Sequence, residues 1–437
     1  MLKHKGADQV NLFELIKYIQ ESKLAFKIES YAAHVEEQDG TTVQRSSSPV
    51  LHAVASFLLA LTNLSNEGRI FFERAGPPSP DIKLSYLLLS PTHAFSSIAS
   101  SARAVVLAGG TMSPFEDYKA HLFPTHQPEK VTTLSCSHVI PSSNLCVWTL
   151  GSFGSTAGDK TDTFEFSFQK RGDRRMIQKL GMSVVNICTV VPDGVVVFFP
   201  SYGYLDEVVK AWQSPDSQGS KSVWDRLLAK KAVFRESKGG ATDTILEEYS
   251  KAILGDEAAL KQAIPATGPR GALLLSVVGG KMSEGINFSD RLGRCVVIVG
   301  LPYPNINSPE WKARIEYIEA ATLARRKANT APDSAQGKQA TEHTEAVAAA
   351  KQVARDFYEN ACMRAVNQSI GRAIRHQGDY AAIVLVDRRF GTARIRGKLP
   401  GWIQSGLVDE SEKKGIQGLM GALNGFFRRK KQDTDKP

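Results

Sequence analysis

The chain predicts an α/β fold: a parallel sheet with helices on both faces. Two observations carry this. Apolar, β-branched runs occur at Ala104–Ala108, Val195–Phe199, Ala272–Val278, Cys295–Val299 and Ala381–Val386. They are continuous rather than alternating, as strands buried on both faces require. Between them lie stretches of helical periodicity, such as Tyr204–Trp212 and Thr242–Leu254.

Each expected strand ends in turn-forming or polar residues: Gly109-Gly110-Thr111, Pro200-Ser201-Tyr202, Gly279-Gly280-Lys281, Gly300-Leu301-Pro302 and Asp387-Arg388-Arg389. Ligands of open α/β sheets gather at carboxyl strand ends, so this edge is the expected functional edge. A turn at Glu36–Gly40 followed by the Ser-rich Gln44–Pro49 reads as weakly ordered. Asn329–Thr344 reads as a surface loop before the alanine-rich helix Glu345–Arg355, and Phe426–Lys431 as part of a basic C-terminal tail.

At 437 residues, 42% hydrophobic and 23% charged, the composition is that of a globular protein with a sizeable core. Apolar runs stop at roughly eight residues, too short to span a bilayer. Met1–Lys5 is not followed by an apolar stretch, so no secretory signal is expected. Five dispersed cysteines (Cys136, Cys146, Cys188, Cys295, Cys362) include no CxxC pair, which suggests reduced thiols, with Cys188 and Cys295 in the core. No metal site is expected among the residues of this chain. The net charge of +9 supports a polyanionic partner without establishing one.

The densest chemistry lies in Asn367–His376 (NQSIGRAIRH). On a continuous helix Gln368, Arg372 and Arg375 fall at i, i+4 and i+7, which projects one amide and two guanidiniums from one face. Gly371 beside them permits close approach of another surface. Such a set suits a polyphosphate, though a bare RxxR is more often a solvated basic face. Gly279–Phe288 (GGKMSEGINF) looks at first like a phosphate loop, but Leu275 occupies the first glycine position and Met282 follows Lys281. No segment supplies GxxxxGK[ST], and no DEAH or DExD box occurs.

Leu107–Pro114, Phe198–Tyr202, Gly279–Asn305 and Asn367–His376, in that order, resemble motifs III, IV, V and VI of superfamily 2 helicases. The resemblance is to the iron–sulfur DEAH-type DNA helicases (XPD/DinG-like), closest to the chromosome-loss (ChlR) branch. It covers nearly the whole chain and is most specific between Ala272 and Phe390. It implies a RecA-like fold, the second motor domain of a helicase, preceded by the remnant of motor domain 1 and its arch insertion. The implied division is 1–90, end of the arch and return into motor domain 1; 91–145, its closing part with motif III; 146–408, the RecA-like domain 2; and 409–437, the basic tail.

The same resemblance implies roles. Arg372 and Arg375 are the expected arginine fingers, with Gln368, Gly371, Glu284 and Gly285 at the nucleotide. Thr111 is the expected coupling residue, and Ser201, Tyr202, Lys281 and Ser283 the nucleic-acid contacts. Asn287 stands where many relatives carry Asp, so no acidic role is expected there. Asp387 and Arg389 match an acidic–basic pair after the last strand, or are an ordinary ion pair. ATP and Mg2+ are the implied cofactors of the intact protein, and a 4Fe–4S cluster is expected only in an N-terminal half that this sequence lacks. The chain therefore reads as the C-terminal portion of a nuclear, ATP-dependent DNA helicase. Implied are 5′→3′ movement on single-stranded or forked DNA and possible cohesion and replication-fork partners. The alternative is a catalytically inactive nucleic-acid-binding or scaffold protein that retains a helicase domain.

Overall fold

The computed structural model describes residues 9–38, 50–63, 67–74, 82–124, 127–136, 140–154, 162–215, 220–240, 242–255, 271–285, 287–329 and 336–434. They form two compact units.

The first unit comprises Met1–Val105, Asp117–Gln127 and Asn305–Arg355. Helices Leu12–Glu21, Leu24–Gln38 and Val50–Ala60 precede an antiparallel hairpin of β1 (Gly68–Arg74) and β2 (Ile82–Leu88). Asn11 caps the first helix by accepting from the Phe13 and Glu14 N–H groups. Helix Pro309–Asn329 follows later in the chain. Among the described residues of this unit the buried apolar side chains are Ile16, Ile19, Ala25, Leu89, Ile318, Ala350 and Ala354.

The second unit comprises Val106–Glu116, Pro128–Pro304 and Asp356–Pro437. Its centre is a six-stranded sheet of β3 (Leu145–Leu150), β4 (Gly194–Phe199), β5 (Ala232–Arg235), β6 (Ala272–Val277), β7 (Cys295–Val299) and β8 (Ala381–Val386). The spatial order is β3-β8-β7-β4-β6-β5, and every pair is parallel. Side chains alternate across the sheet, so each face receives its own core. Val195, Val197 and Phe199 meet Leu180, Val184 and Trp212 on one face. Val196 and Phe198 meet Tyr249, Phe288, Met363 and Val366 on the other. Both faces are covered, which is why the strands read as unbroken apolar runs.

Helix Arg174–Val190 lies close to helix Tyr202–Gln213, where the Trp212 indole donates to the Ile177 carbonyl at 2.9 Å. Gly181 makes the approach possible, since a Cβ there would stand 2.6 Å from both Trp212 Nε1 and Val223 Cγ1.

Four expected strands and the expected helices Tyr204–Trp212, Thr242–Leu254 and Glu345–Arg355 are present, and four expectations are corrected. Ala104–Ala108 forms no strand: no described neighbour pairs with it, and Val106 is 87% exposed. The expected loop Asn329–Thr344 is helical from Gln336, within Gln336–Ile370, while 330–335 lie outside the described residues. The expected basic tail is helix Gly415–Thr434, whose Ile416, Leu419, Leu423 and Phe426 form an i, i+3, i+7, i+10 stripe buried on the sheet. Its basic residues Arg428, Arg429 and Lys431 occupy the solvent side. The expected turn at Glu36–Gly40 is helical through Gln38, and Gln44–Pro49 lies outside the described residues. The units also differ from the contiguous division above, because Asn305–Arg355 clusters with the first unit and Val106–Glu116 with the second.

Gly181→Ala should destabilise the chain by about 1–3 kcal/mol through overpacking against Trp212 and Val223, measured as a lowered urea midpoint with an unchanged slope. A midpoint equal to wild type would contradict the close approach.

Candidate functional site

The carboxyl ends of β4, β5 and β6 converge on one buried carboxylate. Glu236 follows directly on β5 and is 2% exposed. It accepts from the Tyr202 hydroxyl at 2.6 Å, the Ser276 hydroxyl at 2.6 Å, the Val277 N–H at 3.1 Å and the Met282 N–H at 3.4 Å. Burial raises the Tyr202 phenol, and the bond to Glu236 and its negative charge raise it further, to about 12. Tyr202 thus stays protonated and keeps donating at neutral pH. Gly280 leaves room for this group: a Cβ there would lie 2.7 Å from Glu236 Oε1 and 2.8 Å from the Tyr202 hydroxyl. Gly279 turns the loop with φ +71°.

Around this centre stand the side chains expected at nucleic acid. Tyr202 is half-buried and Lys281 exposed, and the Lys281 backbone N–H reaches the Tyr202 oxygen. Ser201 is committed otherwise: its hydroxyl caps helix Tyr202–Gln213 by accepting from the Tyr204 N–H at 3.2 Å. Ser283 is a correction, for its hydroxyl is buried and donates to the Gly280 carbonyl at 2.9 Å, an internal bond of the turn. Glu284 and Gly285 close the short helix Lys281–Gly285, and their side chains lie outside the described residues.

The arginine motif departs from the expected single helix face. Helix Gln336–Ile370 ends at Ile370, leaving Gln368 exposed in its last turn and Arg372 and Arg375 beyond it. Gly371 N–H still bonds the Asn367 carbonyl, but Arg372 and Ala373 N–H turn to Ser369 and Ile370, three residues back. Gly371 weakens helix propagation by roughly 1 kcal/mol relative to alanine, and competing partners finish the helix. Phe288 N–H takes the Arg372 carbonyl at 3.1 Å, and Arg372 Nε donates to the Ser283 carbonyl at 3.1 Å. Arg375 Nη2 donates to Asn287 Oδ1, and His376 meets Asp290 at 2.9 Å. Segments 283–290 and 372–376 therefore run side by side. A Cβ at Gly371 would stand 4.0 Å from the Thr111 methyl, so Thr111 joins this cluster.

The site holds no open metal cage among the described residues. Asp290, His376 and Asp379 bring donor atoms within 4.8 Å. Asp379, however, already takes Arg294 Nη1 at 2.9 Å and the Asp290 and Tyr380 N–H groups. Asp387, fully buried, receives Arg389 in a two-pronged bond at 2.9 and 2.8 Å and also accepts from the Phe166 N–H, an ion pair that braces the end of β8. Cys188 and Cys295 are core residues, and burial pushes the Cys188 thiol up to about 12.

A model of the helicase C-terminal domain matches residues 184–406. The chain belongs to the helicase C-terminal domain family. It is 52% identical over 482 residues to the ATP-dependent DNA helicase chl1 of Neurospora crassa, covering 98% of this chain and 45% of that protein. It is 43% identical to the ATP-dependent DNA helicase CHL1 of Sclerotinia sclerotiorum (99% and 51% covered) and 48% identical to that of Coccidioides immitis (98% and 46%). The chain spans about half the length of the curated relatives it matches. The helicase resemblance read from Gly279–Asn305 and Asn367–His376 agrees with both findings.

Sequence reasoning missed Glu236. It follows a four-residue strand and belongs to no motif, and its side-chain partners are 34 and 40 residues away in sequence. Glu236→Ala should destabilise the chain by about 3 kcal/mol or more, because it strands several buried donors, whereas Glu236→Gln should cost less. Urea unfolding of the two variants checks this; equal midpoints for Glu236→Ala and wild type would refute the network.

Proposed function

We propose that the chain supplies the second motor domain of an ATP-dependent DNA helicase of the chromosome-loss branch. Arg372 and Arg375 face the nucleotide, and Tyr202 and Lys281 form part of the DNA track. The observation that carries this reading is the joined pair of segments 283–290 and 372–376, in which Arg375 is exposed yet anchored by Asn287 and Arg372 is anchored by the Ser283 carbonyl. Guanidiniums pre-positioned in this way suit the charge that develops on a transferred γ-phosphoryl group.

These residues fit half of an ATP site. ATP supplies the phosphoryl group to be transferred, and Mg2+ spreads its charge. The phosphate cradle and the Mg2+ ligands would come from sequence this chain does not contain, since no GxxxxGK[ST] occurs in it. Gln368 offers an amide beside the arginines, the backbone of Glu284 and Gly285 a turn within the same pair of segments, and Thr111 the link to nucleotide state. Ser201 and Ser283 shape the DNA-facing turn through their internal bonds. A 4Fe–4S cluster would also lie outside this chain, because four of its five cysteines are buried and, among the described residues, none joins a group of metal-ligating side chains. Nuclear residence, 5′→3′ movement on single-stranded or forked DNA, and partners in cohesion or at replication forks complete the reading.

In a protein carrying both motor domains, Arg375→Ala should slow ATP hydrolysis roughly 10³-fold or more while leaving DNA affinity unchanged. Lys281→Ala should weaken single-stranded DNA binding and lower the salt slope by about one. The 437-residue chain alone should hydrolyse ATP negligibly; DNA-stimulated hydrolysis by it that vanished in Arg375→Ala would overturn the half-site. Hydrolysis unaffected by Arg375→Ala in the two-domain protein would remove Arg375 from the nucleotide site, and absence of hydrolysis by the wild-type two-domain protein would favour the scaffold reading.

A further inference from the structure

We infer that Phe168 and Arg171 form a base-stacking platform for single-stranded DNA at the carboxyl edge of the sheet. The inference rests on the motor reading above and extends its DNA track beyond Tyr202 and Lys281.

The segment bearing the platform is tied across strand ends. Phe164 N–H bonds the Gly151 carbonyl just after β3, and Arg388 N–H bonds the Phe164 carbonyl just after β8. Phe166 N–H bonds the buried Asp387 carboxylate, and Phe166 fills the space left by Gly300 after β7, where a Cβ would meet its own at 2.7 Å. Phe164 and Phe166 are buried with rings stacked at 6.0 Å. Two residues on, the chain turns, with Lys170 and Arg171 N–H both bonding the Ser167 carbonyl, and Phe168 is left 83% exposed.

Phe168 is not a stray surface ring. The Arg171 guanidinium stands 4.8 Å from its centroid and 5.6 Å from that of buried Tyr204. The Tyr204 hydroxyl donates to the Arg171 carbonyl at 3.0 Å, fixing the backbone from which Arg171 reaches. One guanidinium thus bridges an exposed ring and a core ring, which holds the exposed face in place before any ligand arrives. Tyr204 lies two residues after Tyr202 in the first turn of the same helix, and both stand at the carboxyl end of the sheet.

The surrounding charge favours a polyanion. Lys170 and Arg388 share the single carboxylate of Glu165, which burial would raise but which these cations hold below its usual range. Arg174 and Arg175 are exposed and form no ion pair among the described residues. Opposing them are Asp173, occupied in capping helix Arg174–Val190, and Glu207, near Gly172. Cations therefore outnumber carboxylates around an aromatic face, the combination that binds unpaired bases on a phosphate chain. A purely protein-binding surface would use the ring without needing a base.

The test is fluorescence anisotropy of the 437-residue chain with a labelled oligothymidylate and with an abasic strand of equal length. Phe168→Ala should weaken oligothymidylate binding roughly tenfold and change abasic binding by less than about twofold, with Phe168→Tyr restoring affinity. Arg171→Ala should weaken both strands. Photocrosslinking of a 5-iodouracil strand should map to Phe168. The platform is overturned if Phe168→Ala binds oligothymidylate like wild type, or loses both strands equally, while Lys281→Ala still weakens binding; the motor reading then stands. Absence of salt-sensitive binding by the wild-type chain removes both.

Discussion

Glu236 sits at the end of β5 with its carboxylate out of water, and the donors that meet it come from the ends of the two strands β4 and β6. Burying a carboxylate costs several kcal/mol unless donors replace its water, so the loops after β4 and β6 are constrained to deliver theirs. That demand explains residues that look at first like something else. Gly279 and Gly280 precede a lysine as they would in a phosphate loop. Here Gly280 is bare because a side chain would run into Glu236 and Tyr202, and Gly279 turns the chain at positive φ. The glycines serve an internal anion.

The second constraint is the bonding of 283–290 to 372–376. Helix Gln336–Ile370 could in principle continue through Arg375, since Ile370, Ala373 and Ile374 are all apolar and buried at helical spacing. It ends because the neighbouring segment offers better partners to Arg372, at both its carbonyl and its guanidinium, next to a glycine. The arginines are consequently presented from a turn and fixed by side-to-side bonds, so their separation depends on Ser283 and Asn287 as well as on helix geometry.

These two constraints also mark how far sequence could be read. β4, β6, β7 and β8 were legible because central parallel strands must be apolar on both faces. β3 (LCVWTL) and β5 (AVFR) were not, being edge strands of the sheet and, for β5, only four residues long. Ala104–Ala108 carries the same local signal as a true strand, and only the absence of a described pairing partner separates them. The C-terminal stripe was hidden by its four adjacent cations, since a run of like charges has the same local signal in a solvated tail as at the end of an amphipathic helix. At the site, motif order singled out the arginines, Tyr202 and Lys281 as candidates. It could not reveal which hydroxyls turn inward: Ser201 and Ser283 are polar in sequence, but each satisfies a backbone group of its own turn.

The segment from Lys281 to Phe288 joins both constraints. Its first turn is bonded to Glu236 through the Met282 N–H, beside Tyr202 and the exposed Lys281. Its far end is bonded to Arg372 and Arg375, and Phe288 is sunk in the core with its ring 6.2 Å from Phe198 and 6.4 Å from Tyr249. Phe288 acts as a pivot that cannot leave without opening a large cavity, which costs about 3–5 kcal/mol for a phenylalanine. In the proposed motor the lysine assigned to DNA lies on the segment that bonds both arginines, so the proposed nucleotide and DNA contacts share one stretch of chain.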